Sequence, residues 1–249
     1  MKYLLNFSVI LLLILPAVSI GNTINTDASV ALETQTNTLS ESQQQYIFPM
    51  AIPATQSERE KLISRLENIK DPQQRKLAYL TRLALVTNKT DAPLSDIERL
   101  QEDMSALREV LIKDPELMAA HGSLIAFKTT FFLNDLSKLS VLSRQGNRLM
   151  DRAIKLNPNH LGARLQRGIA CAHMPSFVRR ARYAVTDLEL LKSEIADQYG
   201  EEFKQFIEFN LALAYSRNRQ LSDAKELWKK LAMGKNTWSE KSKLALKDL

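Results

Sequence analysis

From about residue 57 onward, apolar residues recur at intervals of three and four, the spacing that places them on one face of an α-helix. The predicted helices are separated by short turns, among them the segments 87–93 and 218–220. Ser57 and Ser95 are the predicted N-caps of two helices, because a Ser hydroxyl can accept a hydrogen bond from the free N–H groups of a first turn. The pattern predicts a final helix over 239–249.

A proline-containing segment recurs along the chain. Residues 114–120 (Asp-Pro-Glu-Leu-Met-Ala-Ala) are echoed by residues 157–163 (Asn-Pro-Asn-His-Leu-Gly-Ala), with the two prolines 43 residues apart. Each proline follows the apolar end of a predicted helix and is expected to open the next, as is the proline of Asp71-Pro72, because proline suits a first helical position. Helix pairs at a fixed period are typical of a solenoid.

The composition agrees with long helices. The 249 residues include only 7 Gly and 8 Pro. So few turn formers argue against a β-sandwich, a barrel or a Gly-rich nucleotide loop. The sequence therefore predicts an all-α fold.

The N-terminal segment 1–21 has the layout of a secretory signal peptide. One positive charge precedes the uncharged run 3–20, which Pro16 interrupts and small residues follow. We expect cleavage after Ser19 or Gly21. The alternative is an uncleaved membrane anchor, although this run is short for a span that needs about 20 residues. Membrane association is expected only in that alternative.

Residues 22–57 are rich in Thr, Ser, Asn and Gln and contain no Lys or Arg. Such a segment buries too little apolar surface to offset its ordering entropy, so we predict a disordered polar linker. The more apolar stretch 46–53 is either part of that linker or an extended strap that docks on the folded part. A helical domain is predicted over 58–249.

Charge is unevenly distributed. Residues 59–249 carry 33 Lys and Arg against 24 Asp and Glu, a formal net charge of +9. This excess favours anionic surfaces or acidic partners. Export, together with the absence of a basic stripe interleaved with aromatic residues, argues against nucleic acid as the partner.

Two segments resemble junctions of the tetratricopeptide repeat (TPR) family. One is Ala-Ile-Lys-Leu-Asn-Pro at 153–158, followed by Gly168, and the other is Leu-Ala-Leu-Ala-Tyr at 211–215, followed by Ala224 and Trp228. In that family a Leu-Gly…Tyr helix packs against an Ala…Phe helix and a proline ends the unit.

The resemblance covers about 72–235 and implies antiparallel helix hairpins stacked as a short right-handed superhelix. The sequence departs from the family at Arg164, where a Trp is usual, and in its period of 43 rather than about 34 residues. The nearest relatives implied are exported proteins of bacterial envelopes. The resemblance therefore implies a non-enzymatic periplasmic scaffold that binds an envelope protein. Because some such proteins accompany transporters, the alternative is a ligand-binding or accessory subunit for a lipid-like or anionic small molecule.

The resemblance also assigns the residues of the concave face. These are Leu165, Ile169, His173, Phe206, Phe209, Leu213 and Arg217. The face lacks the Lys and Asn set that clamps a carboxylate terminus in some family members. Its aromatic stripe either lines an apolar groove for a partner helix or an acyl chain, or belongs to the core.

Four arginines form a candidate anion patch. They are Arg164, Arg167, Arg179 and Arg180. Helix pairing would let them bind a phosphate, a lipid headgroup or an acidic partner. The alternative is ordinary ion pairing with Asp151, Asp187 and Glu189 on helix surfaces.

No motif for catalysis or metal binding is found. Cys171 is the single cysteine, so an intramolecular disulfide and a Cys-based zinc site are excluded. Cys171 and His173 are two residues apart and would point to different sides of a helix. The sequence has no His-Glu-x-x-His, Gly-x-Ser-x-Gly or phosphate-loop motif. We therefore expect no enzymatic activity, metal or cofactor.

Overall fold

The computed structural model describes residues 56–88, 91–195 and 199–248. These residues form ten α-helices and no strand, which confirms the predicted all-α class. The helices are α1 Gln56–Leu66, α2 Pro72–Val86, α3 Leu94–Val110, α4 Pro115–Lys128, α5 Leu136–Leu156, α6 Leu161–His173, α7 Ala181–Glu194, α8 Gly200–Arg217, α9 Leu221–Ala232 and α10 Thr237–Lys247. Short 3₁₀ turns follow α4 and α6, at Thr129–Phe132 and Ser176–Val178.

The predicted signal peptide and most of the predicted linker lie outside the described residues. Within the described part of the chain, no helix has both the length and the apolar character needed to cross a membrane.

The helices pack in chain order. Each helix contacts the next one, and the even-numbered helices from α2 to α10 also contact one another in succession. One apolar core runs through this arrangement from Leu62 on α1 to Trp238 on α10. The even-numbered helices therefore form a continuous row that shares one core, with the odd-numbered helices packed beside it.

Helices α4 and α5 cross closely at two glycines. A Cβ atom on Gly122 would lie 2.7 Å from the carbonyl oxygen of Gly146, and a Cβ atom on Gly146 would lie 2.6 Å from the carbonyl oxygen of Gly122. Glycine inside a helix destabilises it by roughly 0.5–1 kcal/mol relative to alanine. Here the missing side chains let the two backbones touch.

Two of the three predicted proline-led helix starts are confirmed. The side chains of Asp71 and Asp114 cap α2 and α4 by accepting hydrogen bonds at 2.8 Å from the N–H groups three residues on. The expectation at Pro158 is wrong, because residues 157–160 form a turn before α6. His160 caps α6 instead, with its Nδ1 atom accepting from the N–H of Ala163 at 3.3 Å.

The two predicted serine caps are also wrong. Helix α1 already includes Ser57, since it begins at Gln56, and α3 begins at Leu94, before Ser95. The residue preceding α3 is Pro93, which has a φ of −70° and makes no side-chain cap; its carbonyl oxygen accepts a hydrogen bond from the N–H of Asp96 at 3.1 Å.

Alanine at either crossing glycine should destabilise the protein. Gly122→Ala or Gly146→Ala should lower the free energy of unfolding by about 1–3 kcal/mol, because the new methyl group forces α4 and α5 apart. Urea denaturation measures the change. Gly234→Ala is the matched control, since its Cβ would meet only ordinary contacts from 3.4 Å outward. Wild-type stability in Gly146→Ala would contradict the close crossing.

Candidate functional site

Asp187 on α7 is fully buried and is held by two of the four arginines of the predicted anion patch. Arg164 Nη1 donates to its Oδ1 atom at 2.6 Å. Arg167 donates through Nε to Oδ2 at 2.6 Å and through Nη2 to Oδ1 at 2.9 Å. Such forked, charge-assisted hydrogen bonds are short and directional, so they lock α6 against α7.

Asp151 extends this network to α5. Arg180 donates to its two carboxylate oxygens at 2.6 and 2.9 Å, and Arg167 Nη1 donates to Oδ1 at 3.1 Å. Burial raises the pKa of Asp151, but the hydrogen bonds and charges of Arg180 and Arg167 outweigh it, so the pKa lies below its ordinary value. The carboxylate therefore stays ionised and ties α5 to α6 and α7.

The structure thus does not bring the four arginines together as an open anion site. Three of them bind Asp151 and Asp187, the pairing considered as the alternative. Arg179 is exposed and takes no part in the network; its backbone is left-handed, with a φ of 57°. Glu189, the third acid considered, instead accepts a hydrogen bond from the Tyr215 hydroxyl at 2.8 Å.

Three residues expected on the concave face lie in the core. They are Leu165, Ile169 and Phe206, each no more than 2% exposed. The ring of Phe206 packs 5.4 Å from that of Trp238. The core alternative is therefore correct for Phe206, because the indole of Trp238 on α10 covers this part of α8.

The other four concave-face residues, His173, Phe209, Leu213 and Arg217, are partly buried. Phe209 packs against Trp228 at 6.4 Å and Trp238 at 5.5 Å. Leu213 packs at the edge of the same core. His173 and Arg217 are the two members of the predicted set whose side chains carry polar groups.

His173 ends α6 and bonds to Asn210 on α8. The side-chain nitrogen of Asn210 donates to the carbonyl oxygen of Phe206 at 2.8 Å, which leaves its amide oxygen facing His173 Nε2 at 2.9 Å. The imidazole therefore donates from Nε2. Burial lowers the pKa of His173 to about 4, so the ring is neutral at pH 7. No sequence motif marked Asn210, since a buried amide has no periodic signature.

His173 also forms one wall of an apolar cavity of about 110 Å³. The cavity lies between the end of α4, the first turns of α5, and the end of α6 with the turn that follows it. Its larger apolar walls are Phe127, Leu133, Leu139, Met174 and Phe177. We call this cavity the apolar pocket.

The polar groups of the apolar pocket are largely satisfied internally. The hydroxyl of Thr129 donates to the carbonyl oxygen of Ala126 at 2.7 Å, and that of Thr130 donates to Phe127 at 2.9 Å. These threonines therefore offer few hydrogen bonds to an occupant. Contact in the pocket is dominated by aliphatic and aromatic carbon.

Exposed apolar side chains surround the pocket entrance. Phe177 is 74% exposed and Leu133 is 43% exposed, and both also line the cavity. Leu136, at the start of α5, is exposed as well. An exposed apolar group beside a preformed cavity is a common property of binding surfaces. Periodicity could not predict this surface, because three separate chain segments form it.

The described residues contain no group of three or more His, Cys, Asp or Glu arranged to hold a metal ion. Cys171 is buried against Arg180, and burial raises the pKa of its thiol to about 11. A protonated, inaccessible thiol is a poor nucleophile and a poor metal ligand.

Removing the charge of Asp187 should be strongly destabilising. Asp187→Asn leaves Arg164 and Arg167 without their shared carboxylate, and breaking such a buried pair costs about 3–5 kcal/mol in the free energy of unfolding. Asp151→Asn is the matched comparison and should cost less, because the side chain of Asp151 is 41% exposed. If chemical denaturation gave the same loss of unfolding free energy for both variants, Asp187 would not be the more important carboxylate of the network.

The buried histidines should make the fold sensitive to acid. The pKa values of His173 and His121 are about 4 in the fold against an ordinary 6.5, so between these values the unfolded chain binds protons that the folded chain does not. The free energy of unfolding should therefore fall as the pH decreases from about 6.5 to about 4.

His173→Gln tests this contribution, because glutamine can still donate to Asn210 but does not titrate. The loss of unfolding free energy between pH 7.5 and pH 5 should be about 2 kcal/mol smaller in the variant than in the wild type. An unchanged pH dependence would show that His173 is not held neutral by the fold.

Comparison with known proteins finds no matching family model, no similar curated protein and no similar solved structure.

Proposed function

We propose that this chain is an exported, non-enzymatic scaffold of TPR type that binds a partner protein of the cell envelope through the apolar pocket. The succession of contacts along the even-numbered helices supports stacked helix hairpins, since each unit of such a stack contacts only its neighbours. A right-handed superhelix and a periplasmic location are parts of this proposal. The proposed periplasmic location rests on the signal-peptide pattern of residues 1–21.

The observation that carries the proposal is the apolar pocket with Phe177 and Leu133 at its entrance. Partner helices commonly dock by inserting a few apolar anchor residues into such a depression. Binding energy in protein interfaces concentrates at anchors of this kind. A preformed cavity flanked by exposed apolar groups supplies both the receptor for an anchor and the surface around it.

The volume of the pocket distinguishes between the partners considered. An engineered cavity of about 150 Å³ holds one benzene molecule, and sites for drug-sized ligands span about 300–1,000 Å³. A cavity of about 110 Å³ therefore suits one apolar side chain better than an acyl chain or a larger ligand. This favours a protein partner over the alternative of a lipid-like small molecule.

The state of the candidate reactive groups supports a non-enzymatic role. Cys171 is a buried thiol whose pKa is raised to about 11. His173 and His121 are buried imidazoles with pKa values of about 4, far from the range in which a general base works best at neutral pH.

Phe177→Glu tests the proposal. The substitution should leave the fold intact because Phe177 is exposed, but it places a charge at the pocket entrance. We expect the partner captured by cross-linking in the cell envelope to fall at least about tenfold relative to wild type, a loss typical of an interface anchor. Quantitative mass spectrometry of the cross-linked material measures the change.

Met233→Glu is the matched control, because Met233 is 80% exposed and lies after α9, outside the pocket lining. It should capture the same partner as wild type. A partner held equally by both variants would contradict the role of the pocket. A stoichiometric small molecule in native mass spectrometry, without any protein, would favour the ligand-binding alternative.

A further inference from the structure

The apolar pocket lies at the end of the molecule where α2 and α4 end. Lys76 near the start of α2 binds Asp114, which caps α4, at 2.8 Å, so these two helices begin at the same end. Lys128 at the end of α4 binds Glu98 in the first turns of α3 at 2.9 Å, and α3 follows α2 after the turn 87–93. The last turns of α2 and α4 are therefore neighbours, and the end of α4 lines the pocket.

Helix α1 begins at this same end. Its last residue, Leu66, is joined to the first residue of α2 by the five residues 67–71, so the two helices form an antiparallel hairpin. Arg59 in the first turn of α1 donates from Nη1 to the carbonyl oxygen of Ala84 in the last turn of α2 at 3.5 Å. The chain that precedes Gln56 therefore enters the helical domain at the end where the pocket lies.

The pocket is within reach of the residues that precede α1. Helix α1 contacts α2, and α2 contacts α4. Helices in contact have axes about 8–10 Å apart, so the pocket between α4 and α6 lies about 20–25 Å from α1. A fully extended chain spans at most about 3.3–3.6 Å per residue, so eight residues reach about 26–29 Å. Phe48 is eight residues before Gln56.

Phe48 belongs to the apolar stretch 46–53 (Tyr-Ile-Phe-Pro-Met-Ala-Ile-Pro), which we call the strap. Apart from the hydroxyl of Tyr46, its side chains are hydrocarbon or thioether, and its two prolines have no N–H group to satisfy. The pocket in turn offers few hydrogen bonds, because its threonine hydroxyls donate to nearby carbonyl oxygens. The strap and the pocket therefore match in polarity, as extended proline-containing segments match the aromatic-lined grooves that bind them.

Charge and tethering favour the same contact. Residues 22–57 contain three acids and no Lys or Arg, whereas residues 59–249 carry a net charge of +9. A short flexible connection holds a binding segment at an effective concentration on the order of 1 mM, so a contact with a Kd of about 0.1 mM would be about 90% formed. One aromatic side chain in a small cavity therefore suffices for occupancy.

We propose that the strap occupies the apolar pocket in the free protein, with the ring of Phe48 inserted between the walls formed by Phe127 and Phe177. The strap then covers Phe177, which is 74% exposed in the helical domain. A partner must displace the strap before it can bind. The displacement rests on the proposed function, whereas the contact between the strap and the pocket does not.

A fluorescent peptide of residues 44–55 measures whether the pocket is occupied in the full chain. Phe48→Ser removes the inserted ring, so the peptide should bind this variant at least about tenfold more tightly than wild type, in which the strap competes. Fluorescence anisotropy measures both affinities. Leu39→Ser is the matched control, because it removes an apolar side chain of the same N-terminal segment outside the strap. It should bind the peptide as weakly as wild type.

Two further variants test whether the peptide binds in the pocket. Phe177→Glu combined with Phe48→Ser should abolish the gain in affinity, whereas Met233→Glu in the same background should keep it. Equal binding of the peptide to wild type and to Phe48→Ser would overturn the inference. Failure of the peptide to bind Phe48→Ser, or a gain that survives Phe177→Glu, would overturn it as well.

Photo-crosslinking tests the contact without a separate peptide. Benzoylphenylalanine in place of Phe48 in the purified full chain should link, on irradiation, to the segments 126–139 or 170–178 that line the pocket. The links should lie within one chain, and the same replacement of Leu39 should not favour these segments. Links confined to other helices, or formed only between two copies of the chain, would contradict the strap contact.

The inference and the proposed function fail in different ways. If both are correct, Phe48→Ser should raise the apparent affinity for the envelope partner about tenfold, because the competent state is no longer a minor one. A partner captured through Phe177 equally by wild type and Phe48→Ser would overturn the strap and leave the proposed function. A strap linked to the pocket in a chain that captures no envelope partner would leave the strap and overturn the proposed function.

Discussion

The contact between the backbones of α4 and α5 at Gly122 and Gly146 sets the geometry on which the rest of the candidate site depends. At this crossing there is no room for a side chain, because a Cβ atom on either glycine would lie within 2.7 Å of the other glycine's carbonyl oxygen. The end of α4 and the first turns of α5 form two sides of the apolar pocket, and the end of α6 with the turn that follows it forms the third. The apolar pocket is the space left between these three segments.

The buried charge network holds the third side in place. Asp151 and Asp187 are bound by arginines from α6 and from the start of α7, so α5, α6 and α7 cannot shift independently. Because the arginines and carboxylates of this network bind one another, they offer few free charges to a partner.

Sequence patterns predicted the helices well where one local interaction determines the result. Asp71-Pro72 and Asp114-Pro115 start helices because the carboxylate caps the first turn and the proline occupies it. Asn157-Pro158 has the same appearance but forms a turn, because His160 provides the cap. A single sequence does not show which of two possible caps the tertiary structure selects.

The site was less predictable than the fold. His173 and Arg217 were among the predicted residues, but the helical stripe also included Leu165, Ile169 and Phe206, which face the core. Helical spacing identifies one face of a helix without showing what packs against it, and here Trp238 covers Phe206.

The central claim is that the pocket entrance contacts a partner protein in the cell. The most direct measurement introduces the photo-crosslinking residue benzoylphenylalanine in place of Phe177, with the same replacement of Met233 as the reference, followed by irradiation of living cells. The account predicts one covalent protein adduct from position 177 that is absent from position 233. Identical adducts from both positions, or a lipid adduct alone at position 177, would contradict it.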